Sequence, residues 1–320
     1  MKKTPRTGLA LGSGSARGLA HIGVIRALNE AGIDVHYVAG SSMGAVIGAV
    51  YASGMLDPLE QVYLDFDWKK ITALFDVILP KSGLIDGKKV SNFVRQYISV
   101  ERIEALPIPF RATATDINSG EEIIIDSGDV IEAVRASISV PGIFTPVKWD
   151  GRFLVDGGLV NPVPVSVVRA MGAEQVIAVD LNHGLGAKEA EAVQIQHDEG
   201  KWERLKSHMS ELGGERYRQW MEHISSSLRS YDNKALRQWR AWQDDEPLPS
   251  IFEVMLSSIN IMETQITRAR LQIDPPDILI QPPLGGIRFL DYNRAEEIIA
   301  TGYETACGTL TAHGYTIPGV

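Results

Sequence analysis

Thr7 to Leu11 is a short apolar run that stops at glycines, and beyond it the hydrophobic period changes. Leu19, Ile22, Ile25, Ala27 and Leu28 recur at helical spacing as far as Ala31. The pattern predicts a strand, a glycine loop over Gly12 to Gly18, and a helix closed by Gly32. It then repeats: Val35 to Ala39 reads as a strand, Gly40-Ser41-Ser42-Met43-Gly44 as a turn, and the next apolar stretch as a helix to about Ser53. Two successive strand–turn–helix units predict a parallel sheet. Further strands are expected at Phe110 to Thr115, Glu122 to Ile125, Phe153 to Val155 and Val176 to Asp180, with a helix from about Asp129 to Ser137. Past residue 182 the texture changes. Charged residues, glutamine and the scattered Trp202, Trp220, Trp239 and Trp242 dominate up to Pro249 and read as a helical insertion. Apolar spacing resumes over Ile251 to Leu271, Pro275 to Ile280 reads as a last strand, and Asp291 to about Leu310 as a closing helix. The expected architecture is α/β, with a mainly parallel sheet between two helical layers. Residues 8–182 form its main region, 183–250 the insertion, and 251–320 a helix, strand and helix that complete the same domain.

With 320 residues, 44% of them apolar, the chain can bury a sizeable core. A formal charge of −9, with no concentrated basic patch, opposes nucleic-acid binding. The single cysteine, Cys307, rules out an internal disulfide and a cysteine-built metal site, and fits a reducing, cytoplasmic compartment. Met1-Lys2-Lys3 through Arg6 imitates the charged start of a signal peptide, but the apolar run behind it is too short for export. Val38 to Met55 is long and uncharged enough to raise the question of a membrane span, yet its small residues and serines fit a packed strand, turn and helix better. Contact with lipid is therefore expected to be peripheral, at most at the inner membrane. No residues cluster at metal-ligand spacing, and no cofactor is expected.

The chemistry concentrates at strand ends. Gly40-Ser41-Ser42-Met43-Gly44 fits G-x-S-x-G between a strand and a helix, where a sharp turn lifts a serine hydroxyl into reach of substrate. Only Ser42 has glycine two residues away on both sides, and side chains at Gly40 and Gly44 would collide with the neighbouring strand and helix. Gly12 to Gly18 offers backbone N–H groups at a helix start, a setting that suits an oxyanion. The same loop could be a dinucleotide fingerprint, but Arg17 stands where the third glycine belongs, and Asp34 precedes the second strand instead of ending it. Asp156-Gly157-Gly158 follows the apolar Phe153 to Val155 and would place a carboxylate at the carboxyl edge of the sheet; an Asp-Gly pair alone also fits a plain turn.

Four stretches in order are more specific than any one of them: Arg17-Gly18-Leu19-Ala20-His21 after the glycine loop, the Gly40 to Gly44 turn, Ala136 to Phe144 with Pro146, and Asp156-Gly157-Gly158. In these the chain resembles the patatin-like phospholipase family, over about Gly8 to Arg169. The resemblance implies a serine lipid acyl hydrolase acting on a lipid ester, with Ser42 as nucleophile and Asp156 as base. It makes the loop around Gly14, Ser15 and Arg17 the oxyanion hole, supported by Gly12 and Gly18. Where the family usually has three glycines, this chain has Ser13-Gly14-Ser15.

A carboxylate of ordinary basicity is a poor base toward a serine, so the dyad has to be in direct or water-bridged contact and partly desolvated. The competing triad of an α/β-hydrolase would need a histidine late in the chain, and His313 lies in a predicted surface turn. His21 fits a structural role, while Arg17 could lie near the oxyanion or fix its own loop. Ser137 and Ser139 are expected to cap a helix end before Pro141, and Asp116 to make a turn. The tryptophans of the insertion fit burial first, and alternatively a cover over the Ser42 pocket, a membrane interface or a homodimer contact. A family-like fold that binds acyl chains without turnover is the non-enzymatic alternative.

Overall fold

The structure is a computed structural model that describes residues 5–65, 85–184 and 251–318. Apart from a turn at His183 and Gly184, the expected insertion and its tryptophans lie outside these residues. In chain order the elements are β1 (Thr7–Leu11), α1 (Ala20–Glu30), β2 (Val35–Ser41), α2 (Met43–Ala52), α3 (Leu56–Leu64), α4 (Lys88–Arg95), β3 (Phe110–Asp116), β4 (Glu122–Ile125), α5 (Val130–Ser137), β5 (Val147–Trp149), β6 (Arg152–Asp156), α6 (Val165–Ala170), β7 (Gln175–Val179), α7 (Ile251–Ile273), β8 (Ile278–Ile280) and α8 (Ala295–Ala312). Short 3-10 turns at Ser15–Leu19, Gly157–Leu159 and Tyr292–Arg294 lead into or out of the site. Periodicity does not reveal α3, α4, α6 and β5, all nine residues or shorter.

Local chemistry places the boundaries. Asp129 caps α5 by accepting from the N–H groups of Ile131 and Glu132 at 2.8 and 3.1 Å, where four helical donors would otherwise go unmet. Gly32 ends α1 in the left-handed region, at φ 68°.

The eight strands form one sheet in the order β5-β6-β3-β2-β1-β7-β8, with β4 also on β3. The centre, β3-β2-β1-β7-β8, is parallel throughout, while β4, β5 and β6 add antiparallel pairings at one side. Side chains alternate between two faces, as strand geometry demands. Leu9, Leu11, Val38, Ile177 and Val179 join the main core beneath α1, α2, α5 and α8. Ala10, Ala39, Val176 and Ala178 face a smaller core against α6 and α7. The sheet is thus buried on both sides, which explains why its central strands read as unbroken apolar runs.

One register decides where the site forms. Thr113 of β3 pairs with Ser41 of β2 on one side and Ile124 of β4 on the other; Ala114 pairs with Asp156 of β6 and with Ile123 of β4. Strands β2 and β6 therefore lie on the same edge of β3. They approach from opposite ends and meet tip to tip between Thr113 and Ala114. The sequence puts Asp156 at the C-terminal end of its strand, and β6 ends there. That strand runs antiparallel to β3, and the shared edge is what brings Asp156 level with the end of β2.

No helix among the described residues is long and apolar enough to cross a membrane. Val38 to Met55 is divided between β2, the turn at Ser42 and α2.

Candidate active site

The turn after β2 has little room. A Cβ at Gly40 would meet the backbone of Gly44 and Ala45, and one at Gly44 would strike the Leu11 carbonyl of β1. Between these glycines Ser42 is held at φ 53°, a left-handed conformation that costs a non-glycine residue on the order of 1–3 kcal/mol. Its N–H donates to Ser137 Oγ at 2.9 Å. Ser137, expected as a helix cap, instead anchors the backbone of the turn. Ser139 keeps the local role, with its hydroxyl donating to Arg135 O and accepting from the Arg135 guanidinium. Asp116 accepts from the N–H of Asn118 and shapes the turn to β4.

Ser42 Oγ donates to Asp156 Oδ2 at 2.6 Å. The other carboxylate oxygen, Oδ1, accepts from the N–H of Gly158 at 2.7 Å, and the Asp156 backbone is bound through its N–H to Ser139 O and through its carbonyl to Thr115 Oγ1. Gly157 lies so close to the Thr113 carbonyl that no Cβ fits. Burial first, and the nearby charge of Glu263 second, push the Asp156 carboxyl up to about 8.

Glu263 was not among the residues that sequence reasoning selected. It lies on α7, buried, and accepts through Oε2 from Ser13 Oγ at 3.0 Å and Asn182 Nδ2 at 3.1 Å. Burial raises its proton affinity too, against the pull of the Ser13 hydroxyl, the Arg17 charge and Asn182. The signal was present in its spacing: Ile259, Glu263 and Thr267 form one stripe four residues apart, and all three are buried. The apolar Ile261 and Met262 beside it are exposed instead, so a reading by hydrophobicity chooses the wrong face.

In the glycine loop most N–H groups are engaged. Gly12 donates to Val179 O, Ser13 to Pro162 O, Ala16 to Phe289 O and Arg17 to Gly14 O. The N–H groups of Gly14 and Ser15 have no acceptor among the described residues. Of the three oxyanion-hole residues expected, Arg17 differs: its N–H is engaged, and its guanidinium donates to Asn182 and Asn260, both at 3.1 Å, bonds that fix the loop. Ser15, at φ 48°, occupies a conformation that glycine adopts more easily, and its hydroxyl donates to Phe289 O at 2.6 Å. Gly12 and Gly18 allow close packing, Gly12 against the Val179 carbonyl and Gly18 against Met43.

Among the described histidines none hydrogen-bonds to Ser42 or Asp156. His21 Nε2 donates to Gly12 O, and burial pushes its imidazole down to about 4, which leaves it neutral. His313 is exposed at the end of α8 and bonded to Thr309 O.

Ser42 opens into a pocket that is continuous with solvent, lined by Val46, Phe93, Ile138, Ile143 and Phe144 and, near the glycine loop, by Tyr292. Its walls are mostly apolar, a lining that suits an acyl chain.

The structure overlaps the crystal structure of VipD from Legionella pneumophila with a TM-score of 0.43 at 12% identity, covering 97% of this chain and 67% of that one. An uncharacterized NTE family protein of Mycobacterium tuberculosis is 34% identical over 332 residues, covering 97% of this chain and 92% of its own. Patatin-like phospholipase domain-containing protein 6 of Mus musculus is 34% identical over 179 residues, 54% of this chain and 13% of that one. Residues 9–169, which hold Ser42 and Asp156 but not Glu263 or Tyr292, match the family model described as patatin-like phospholipase. By that match and by the full-length mycobacterial relative, the chain belongs to the patatin-like phospholipase family.

Proposed function

We propose that this protein hydrolyses lipid acyl esters, of the phospholipase, lysophospholipase or esterase kind, through Ser42 and Asp156. The observation that carries the reading is the 2.6 Å hydrogen bond from Ser42 Oγ to Asp156 at the mouth of an apolar cavity. As Ser42 attacks the ester carbonyl, its proton passes to Asp156. The carbonyl oxygen becomes an oxyanion facing the N–H groups of Gly14 and Ser15. Collapse of this intermediate expels the alcohol, which takes the proton from Asp156, and leaves the acyl group on Ser42. Water then attacks the acyl-enzyme, giving its proton to Asp156, and the fatty acid leaves as Ser42 is restored. A carboxylate whose proton affinity lies near neutrality suits both directions of transfer better than an ordinary aspartate.

Covalent labelling by a fluorophosphonate, beside hydrolysis of a p-nitrophenyl ester, tests the reading. Wild type labels, and its rate rises with pH as Asp156 loses its proton around 8. Ser42→Ala does not label, and Asp156→Asn turns over at least about a thousandfold more slowly. Folded wild type that neither labels nor hydrolyses esters would leave an acyl-binding module as the better account.

A further inference from the structure

Glu263 is a buried carboxylate beside the dyad to which the hydrolysis described above gives no task. Taking an ionised carboxylate out of water is costly unless donors surround it. Here Oε2 has two, Ser13 Oγ and Asn182 Nδ2. The orientation of the Asn182 amide follows from its other bond: Oδ1 accepts from the Arg17 guanidinium, which can only donate, so Nδ2 has to face Glu263. A positive charge is thus linked to Glu263 through one side chain. The other oxygen, Oε1, crowds Gly158. A Cβ there would collide with it and would lie 3.0 Å from Asp156 Oδ1, so the missing side chain is what lets the two carboxylates approach. A continuous series of contacts runs from Arg17 and Ser13 in the glycine loop, through Asn182 and Glu263, past Gly158 to Asp156 and Ser42.

We propose that Glu263 is a positioning residue of the hydrolysis, an ionised second carboxylate whose charge, held facing Asp156, strengthens the pull of Asp156 on the Ser42 proton. The proposal rests on the assignment of Ser42 and Asp156 as nucleophile and base. Its physical content is a like-charge pair: a negative Glu263 opposes ionisation of Asp156, so Asp156 holds a proton more firmly and becomes the stronger base. The same donors tie the carboxylate to Ser13, so it also fixes the loop that carries Gly14 and Ser15.

Other ionisable groups around the pair are accounted for. Arg17 is positive throughout and favours an ionised Glu263. His21 on α1 is neutral above about 4. Arg135 on α5 is bound to Ser139 and to the Asp86 and Thr145 carbonyls, and Asp180 after β7 accepts from Asn182 N–H and Gln281. Tyr292 holds its proton more firmly than a free tyrosine because of burial. None of these supplies a negative charge to Asp156 in place of Glu263.

The test is the pH dependence of fluorophosphonate labelling in the full chain, with folding followed by circular dichroism. In Glu263→Gln the acid limb moves to lower pH by about one unit, because Asp156 ionises more easily, while the plateau rate falls because the base is weaker. A purely structural role would lower the rate and leave the limb in place. An unmoved limb in folded Glu263→Gln overturns the proposal and leaves the Ser42 and Asp156 reading intact; wild type that never labels overturns both. Should Glu263→Gln fail to fold, Glu263→Ala decides. It removes the same charge, so the limb moves the same way, and a limb that stays at the wild-type pH overturns the proposal.

Discussion

Burying one carboxylate beside another raises the proton affinity of both, and Asp156 shows the consequence for stability as well as for chemistry. Its folded value is about 8, against 3.8 for the ordinary side chain. Between these values the folded protein binds more protons than the unfolded chain, so stability falls as pH rises through this window and the penalty is complete above about 8. Asp156→Asn removes that penalty. In denaturant titrations it is expected to be more stable than wild type at pH 9, by on the order of a few kcal/mol, and to lose this advantage near pH 4. The sequence showed Ser42 and Asp156 through their glycines, since close packing leaves a compositional trace. Glu263 and Ser137 left no such trace. A glutamate on a helix and a serine at a helix end are ordinary text until something packs against them, and the bonds from Ser13 and from the Ser42 N–H are contacts between residues 250 and 95 positions apart.

At the scale of elements, the site depends on how closely α2 lies against β1. A Cβ at Gly44 would overlap the Leu11 carbonyl, and the helix can approach only because no side chain intervenes. Gly44→Ala is expected to push α2 outward and destabilise the protein by at least about 2 kcal/mol, read from the shift in a denaturant midpoint. Gly308, exposed on α8 with open space where a Cβ would go, provides the contrast. There Gly308→Ala is expected to stabilise by about 0.5–1 kcal/mol, because only the helical propensity changes. Elements marked by an unbroken apolar run or a clear helical period, such as β1, β2 and α1, were legible within a few residues. The three-residue β5 and the six-residue α6 were not, since the packing that selects them comes from distant strands.

At the scale of the whole molecule, the family match over residues 9–169 marks out less than the folding unit. Strand β8 pairs with β7 and contributes Ile278 and Ile280 to the main core, where α8 adds Ile298, Ile299 and Leu310. Gly23 of α1 lies against the Ile299 carbonyl, and Gly302 of α8 against that of Ala20, so these two helices touch backbone to backbone. A chain ending at residue 182 would expose this surface and lose Glu263. It is expected to be insoluble or to lack a cooperative unfolding transition, which soluble yield and thermal unfolding beside the full chain would check. The sequence by itself determined the α/β class, the parallel order of its first units, the apolar strands buried on both faces, and the two residues most tightly framed by glycine, because periodicity and steric crowding are local and leave local marks. Only the tertiary structure decided that β6 runs antiparallel and meets β2 on one edge of β3, that Arg17 fixes its loop, and that Glu263 stands beside Asp156. Each of these depends on strand register or on the inward face of a distant helix, and neither is encoded in the residues adjacent along the chain.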